Sequence, residues 1–406
     1  MPTEALAAAL AGEPETRPRY AIAMLAACPF PTAQGTQVAI RHLAGALSQA
    51  GHDVHLITYG YGEPLSRPLP FAVHRAARID VGMRSGPRLG KPFADAALLA
   101  KAAQVARRHG CQIIHAHHSE GLAVGAALKL VTGLPLVYHA HTALGPELPT
   151  YYRARLARAA AARLGAAVDR VLPRAADATV VFDEAHADMH RAYGIPAARL
   201  HVIPLGLDAA ELGSPRPATV ARLRVELGPG PWVLYAGNPD HYQNLPLLWQ
   251  ALARAREREP TLRLLVATHH EPGAFGLGEP GSVAQAGIRF YRYQSLDELS
   301  ALFSLADVGL CPRTLWTGAP VKILNYLRAN LPVVACASAG RLLSPSAGRL
   351  VEADPDAFAQ GMLDLVSCSA ELKARGVARQ AFAPFRVEGQ VSRYEELYAA
   401  VVASRG

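Results

Sequence analysis

The sequence predicts an α/β fold in which two doubly wound, Rossmann-like parallel sheets face a cleft, and three observations carry that expectation. Short, nearly continuous apolar runs alternate with longer helical patterns along all 406 residues. The runs lack the apolar–polar alternation of a one-sided sheet, as strands covered on both faces do. The rhythm comes in two blocks, parted by a Gly- and Pro-edged stretch at residues 206–231 that reads as an interdomain linker.

In the first block, strands are expected at residues 21–27, 54–59, 112–116, 135–140, 178–182 and 200–205. Between the first two, apolar positions 38, 40, 43, 44 and 47 keep the helical period, and Gly51 follows as the stop. The second block repeats the pattern, with strands expected at residues 232–237, 262–268, 288–293, 307–311, 332–337 and 348–352. The expected division is a flexible N-terminal extension at residues 1–19, a first Rossmann-like domain at 20–212, a second at 213–380, and a C-terminal helix at 381–406.

Composition narrows the class. Half the residues are hydrophobic and 18% are charged, so the chain can bury cores and is not of the disordered type. No apolar run reaches the ~18–20 residues that a membrane-spanning helix requires. The start carries Glu4, Glu13 and Glu15 and no basic residue before Arg17, unlike a secretory signal. Five scattered cysteines without a CxxC pair fit neither a disulfide framework nor a zinc site, so a reducing, cytoplasmic setting is expected.

The net charge of +8 admits nucleic acid, an anionic membrane surface or a phosphorylated ligand as partner. With no helix-turn-helix, zinc-finger or aromatic–basic RNA motif, nucleic acid is not expected. Residues 153–174 place Arg153, Arg155, Arg158, Arg163, Arg170 and Arg174 on an Ala/Leu-rich helical stretch. Two readings stand side by side: a solvated helix face, or a basic amphipathic surface that docks on anionic lipid and holds the protein peripherally at the inner membrane face.

The ordered segments PFPTAQGTQVAIRHLAGALSQAGHDVHLIT, IIHAHHSEG, VYHAHT, RLHVIPLGLD, VLYAGN and GAPVKILNYLRANLPVVA resemble the retaining GT-B glycosyltransferases of glycosyltransferase family 4. The similarity spans roughly residues 20–390. It implies a nucleotide-sugar donor bound mainly on the second domain and an acceptor, a glycan or a lipid-linked one, mainly on the first. It also implies transfer of a hexose with retention, no cofactor and no bound metal, and a final helix that often crosses back onto the first domain.

Family positions fall on named residues. Gly35 and Thr36, after the first strand, match a glycine-rich turn that approaches the reacting end of the donor; the bland alternative is a helix capped by Thr36. His141 matches the histidine of the family's catalytic pocket, with His139 expected to point the other way. Thr36, His118, Glu120 and Glu147 are assigned to the acceptor side, although HAHHSEG at residues 115–121 also has the composition of a metal cluster. Gly237 opens the second domain's first loop.

Departures from the family pattern cluster in that second domain. Relatives carry Arg and Lys in the first loop to hold the donor diphosphate, where this chain has Asn238, Gln243 and Asn244. Arg313 and Lys322 are the cations left to replace them. Two family glutamates, eight positions apart, become Thr317 and Asn325, while Pro320, Lys322, Tyr326 and Pro332 keep the rest of the motif. These changes leave open a non-catalytic relative that binds a sugar nucleotide or partner, and a nucleotide-sugar 2-epimerase, beside the transferase. Asp354-Pro355-Asp356 resembles a metal-binding DxD motif, but the helical pattern after it predicts an N-cap.

Overall fold

The computed structural model describes residues 18–404 except 33, 65–67, 83–85, 278–280, 282–283, 285, 317 and 339. Thr317 and all but the last two residues of the expected N-terminal extension therefore lie outside the described residues.

The first sheet is built from β1 (Ala21–Ala26), β2 (Asp53–Thr58), β3 (Ala72–Arg75), β4 (Ile113–His117), β5 (Leu136–His139), β6 (Ala178–Val181) and β7 (Leu200–Val202). Its order is β3-β2-β1-β4-β5-β6-β7. Between these strands run α1 (Gly35–Gln49), α2 (Lys91–Arg108), α3 (His118–Thr132), α4 (Arg155–Val171) and α5 (Glu184–Ala192). The chain starts in the middle of the sheet and reverses direction at β1/β4, which makes the carboxyl ends of those strands the place where a ligand meets the sheet.

After α6 (Pro217–Leu227), the second sheet repeats the plan with β8 (Trp232–Ala236), β9 (Arg263–Thr268), β10 (Ile288–Arg292), β11 (Val308–Cys311), β12 (Val333–Cys336) and β13 (Gly348–Val351). Its order is β10-β9-β8-β11-β12-β13. The helices that matter below are α7 (Leu245–Arg258), α8 (Leu296–Leu305), α9 (Val321–Arg328), α10 (Pro355–Ala374) and α11 (Val391–Ala403). Neighbouring strands are parallel in both sheets.

All twelve expected strands form, and β3 is an addition. Its four residues, AVHR, are exposed or half-buried, so they carry no continuous apolar run by which to be recognised. The stretch expected to be a bare linker is structured too. In α6, Leu223 and Leu227 are buried beside Trp232 and Leu234, as part of the second core. Asp354 caps α10 by accepting from the N–H groups of Asp356 and Ala357, as its sequence pattern predicts.

Helix α11 packs on the first sheet: Tyr394, Leu397 and Tyr398 share a core with Tyr20, Ile22 and Ile113. Tyr326 anchors the second sheet. Its hydroxyl lies 2.8 Å from the Ala236 amide and accepts from it, and its ring lies where a side chain at Gly309 would stand.

Candidate active site

The cleft is built at positions where side chains are missing. Gly35 begins α1, and a Cβ there would come 2.9 Å from Val321 Cγ2, at the first residue of α9 in the other domain. Gly318 has φ +137°, and a Cβ would come 2.3 Å from the His141 carbonyl oxygen and 2.9 Å from Thr142. The domains thus touch on both sides of one spot, onto which the N-termini of α1 and α9 open. Neither helix has an acidic residue in its first turn, so both leave their positive ends uncompensated. Thr36 does not cap α1; the N-cap position belongs to Gln34, with no side-chain cap bond.

The second domain supplies the cations, from α9 and from the end of β11. Gly237, at φ +153°, leaves only 3.2 Å between an imagined Cβ and Lys322 Nζ, so a side chain at this position crowds the lysine. Lys322 Nζ donates to Gln243 Oε1 at 2.7 Å and lies 3.9 Å from the centre of the Tyr235 ring. Gln243 Nε2 donates in turn to Asn238 Oδ1 at 3.1 Å, and Asn238 Nδ2 donates to Asp240 at 2.6 Å. The amides that replace the family's cations therefore form a relay that fixes Lys322. Arg313 is buried, stacks 5.0 Å from the Tyr242 ring centre and donates from Nε to the Leu315 carbonyl. Burial lowers Arg313 and brings Lys322 down to about 7. Pro320 stands at the N-cap position of α9.

Asn325 is engaged by an arginine of its own helix. Its Oδ1 accepts from Arg328 at 3.0 Å, and Arg328 also donates to the Asp208 carbonyl at 2.7 Å and stands 3.7 Å from Glu211. Glu211 is paired with both Arg41 and His42 of α1. Burial raises the Glu211 pKa, but the His42 and Arg41 contacts outweigh it and bring it to about 2. This cluster joins the two domains behind the cleft, and its members are too far apart in sequence to be recognised together.

On the first domain, His141 is buried, and its Nε2 lies 2.8 Å from His117 Nδ1. The expectation that His139 points away is overturned: residues two apart on an extended strand share a face, and the His139 and His141 rings stack at 4.5 Å. His115 and His117 extend this into a ladder of four imidazoles, whose inner end meets the Tyr398 hydroxyl at 2.6 Å. Burial first, and the neighbouring imidazoles second, hold His139 and His141 well below the usual histidine range. His141 is therefore a neutral hydrogen-bonding group at ordinary pH.

The acceptor-side residues are only partly together. His118 begins α3 with φ +62°, 4.9 Å ring to ring from His141. Glu120 is ion-paired with Lys91 at 2.7 Å, and Glu147 accepts from the Tyr151 hydroxyl at 2.7 Å. From the HAHHSEG segment, His115 and His117 join His139 of the neighbouring strand, each offering a ring nitrogen within 4.8 Å of the others, with rings inclined by 15–34°. Trp316, which the sequence did not flag, meets His186 of α5 edge-on at 4.9 Å and adds a further interdomain contact.

With this geometry in view, comparison with known proteins is direct. The family model described as Glycosyltransferase Family 4 matches residues 33–211, and that described as Glycosyl transferases group 1 matches residues 230–368. The chain belongs to glycosyltransferase family 4. Among relatives of this transferase, the D-inositol 3-phosphate glycosyltransferase of Salinispora arenicola is 27% identical over 419 residues, covering 92% of this chain and 89% of that protein. The fold is that of GT-B enzymes. Sucrose-phosphate synthase from Thermosynechococcus elongatus superimposes with a TM-score of 0.78 at 19% identity, covering 95% of this chain and all of that one. Anabaena HepE, solved with UDP and glucose, superimposes at 0.68 with 17% identity, covering 94% of this chain and all of that one.

Lys322 gives the site a pH signature. Its folded pKa of about 7 lies below the ordinary 10.5, so between these values the unfolded chain binds the proton and the folded one does not. Stability of the ligand-free protein is expected to rise with pH across that window. Urea unfolding of Lys322→Met should show a flatter rise, and an unchanged slope counts against the buried lysine.

Proposed function

We propose that this family 4 glycosyltransferase moves a hexose from a nucleoside-diphosphate sugar to a glycan or lipid-linked acceptor, with retention and without a bound metal. One observation carries the reading: the positive starts of α1 and α9 face each other across Gly35 and Val321, with Lys322 in the first turn of α9. A diphosphate placed there meets two helix N-termini and a lysine, and Arg313 lies on the same wall of the cleft. These groups stabilise the charge that develops on the leaving diphosphate as the glycosidic bond to the sugar breaks. Lys322 takes up a proton when the anion arrives, because the phosphate charge favours its ammonium form. His141, held neutral, is placed to hydrogen-bond the sugar or acceptor rather than to carry a charge. The UDP and glucose in the Anabaena protein and the D-inositol 3-phosphate named for the Salinispora relative support donor and acceptor chemistry of this kind.

A thermal-shift series with UDP, GDP, ADP and their sugar conjugates tests the donor site. A ligand at ~100 times its dissociation constant stabilises the folded state by about 2.7 kcal/mol, so one nucleotide class should raise the midpoint clearly, with or without EDTA. Arg313→Ala and Lys322→Ala should abolish that rise. A shift lost in EDTA contradicts the metal-free reading. A shift without sugar transfer to any acceptor favours the non-catalytic alternative, for which the replaced family carboxylate at Asn325 is the motivating feature.

The acceptor side is proposed to rest on an anionic lipid surface through α4. Leu156, Leu164 and Val171 are exposed at 86%, 60% and 60%, on the helix that also carries Arg155, Arg158, Arg163 and Arg170. Apolar side chains beside arginines are the pattern of an interfacial helix. Sedimentation with vesicles containing anionic lipid should capture the protein, and a Leu156→Asp/Leu164→Asp variant should stay in solution. Equal binding to neutral vesicles, or full retention of the variant, contradicts this surface.

A further inference from the structure

Outside the cleft, three imidazoles and a carboxylate meet at the outer edge of the first sheet. His55 is the third residue of β2, His74 lies on the edge strand β3, and His109 is the C-cap of α2. His55 Nδ1 is 3.1 Å from His74 Nε2, and the His55 and His109 ring centres are 4.0 Å apart. Each of the three offers a ring nitrogen within 4.8 Å of the others. Their rings are tilted by 35–53°.

We propose that His55, His74 and His109 form a site for a borderline divalent transition metal of the zinc class, with water in the remaining position and Asp53 as the outer partner of His55. The spacing fits the chemistry. Metal–nitrogen bonds of ~2.0–2.1 Å at a tetrahedral angle separate two donors by roughly 3.3 Å, close to the His55–His74 gap. The Asp53 carboxylate stands 3.1 Å from His55 Nε2. His55 Nε2 has no hydrogen-bond partner in this arrangement, so the exposed Asp53 carboxylate must turn to accept from it; the proton then sits on Nε2 and Nδ1 faces His74, the arrangement that accompanies metal-bound histidine. Lys101 and Arg108 are close enough to oppose a cation, and the Asp53 carboxylate offsets part of that charge. Three imidazoles suit zinc-class ions and not magnesium or calcium, which take oxygen ligands. The consequence is structural: the ion ties the short edge strand β3 to β2 and to the end of α2. This site is separate from the transferase reading and does not depend on it.

The test uses the full chain, stripped with EDTA and dialysed, then titrated with Zn2+ by calorimetry and by thermal unfolding, with Mg2+ as control. A single high-affinity equivalent that raises the midpoint is expected, with no effect of Mg2+. His74→Ala and the more conservative His109→Gln should each remove it, and Asp53→Asn should weaken it by about 10–100-fold. Nucleotide-induced stabilisation should be the same in these variants as in the wild type, which also shows that they fold. Absence of a zinc response in the wild type overturns the site, as does an equal response in His74→Ala and His109→Gln.

Discussion

Closure of the two domains on one another depends on a steric constraint at Gly35 and Gly318. A methyl at Gly35 would press on Val321, and one at Gly318 would drive into the His141 carbonyl at 2.3 Å. Because those atoms are absent, the start of α1 reaches the start of α9, and the loop before α9 lies on the end of β5. Cleft shape, the facing helix dipoles and the nearness of His141 to the second domain all follow from these two approaches.

The electrostatics of the cleft follow from what closure buries. Lys322 and Arg313 are removed from water, and burial lowers the pKa of both. The amide relay through Gln243 and Asn238 holds Lys322 in place without neutralising it. Such a site is pre-organised for an anion: the donors are aimed beforehand, and an arriving diphosphate supplies the charge that burial withheld. Replacing the family's loop cations with amides moves the positive charge from the first loop to α9 and the end of β11. The acid–base cluster of Arg41, His42, Glu211 and Arg328 engages Asn325 through the Arg328 guanidinium.

Much of the fold was legible because parallel strands buried on both faces leave unbroken apolar runs, as in residues 232–237 or 332–337. The strand β3 was not, since an edge strand with half-exposed AVHR leaves no such trace. The site was legible one position at a time. Gly35, Gly237 and Arg313 stand out by their place after strands and Lys322 by the segment GAPVKILNYL, and the structure brings Gly237 beside Lys322 and Gly35 beside Val321. The four-imidazole ladder was missed, although HAH occurs at the ends of two strands that turn out to be neighbours; pairing of His117 with His139 is a fact of register. Nothing in the sequence could link Glu211 to Arg41 and Arg328, because Arg41 is 170 residues away in the first domain and Arg328 comes from the second.

The central claim is that the donor diphosphate lies between the starts of α1 and α9. A crystal structure with a bound nucleoside diphosphate tests it most directly. The account predicts phosphate oxygens in hydrogen-bonding reach of Lys322 Nζ and of backbone N–H groups at Gly35 or Val321, with the base on the second domain. Phosphates bound elsewhere, with Lys322 still held only by Gln243, would contradict it.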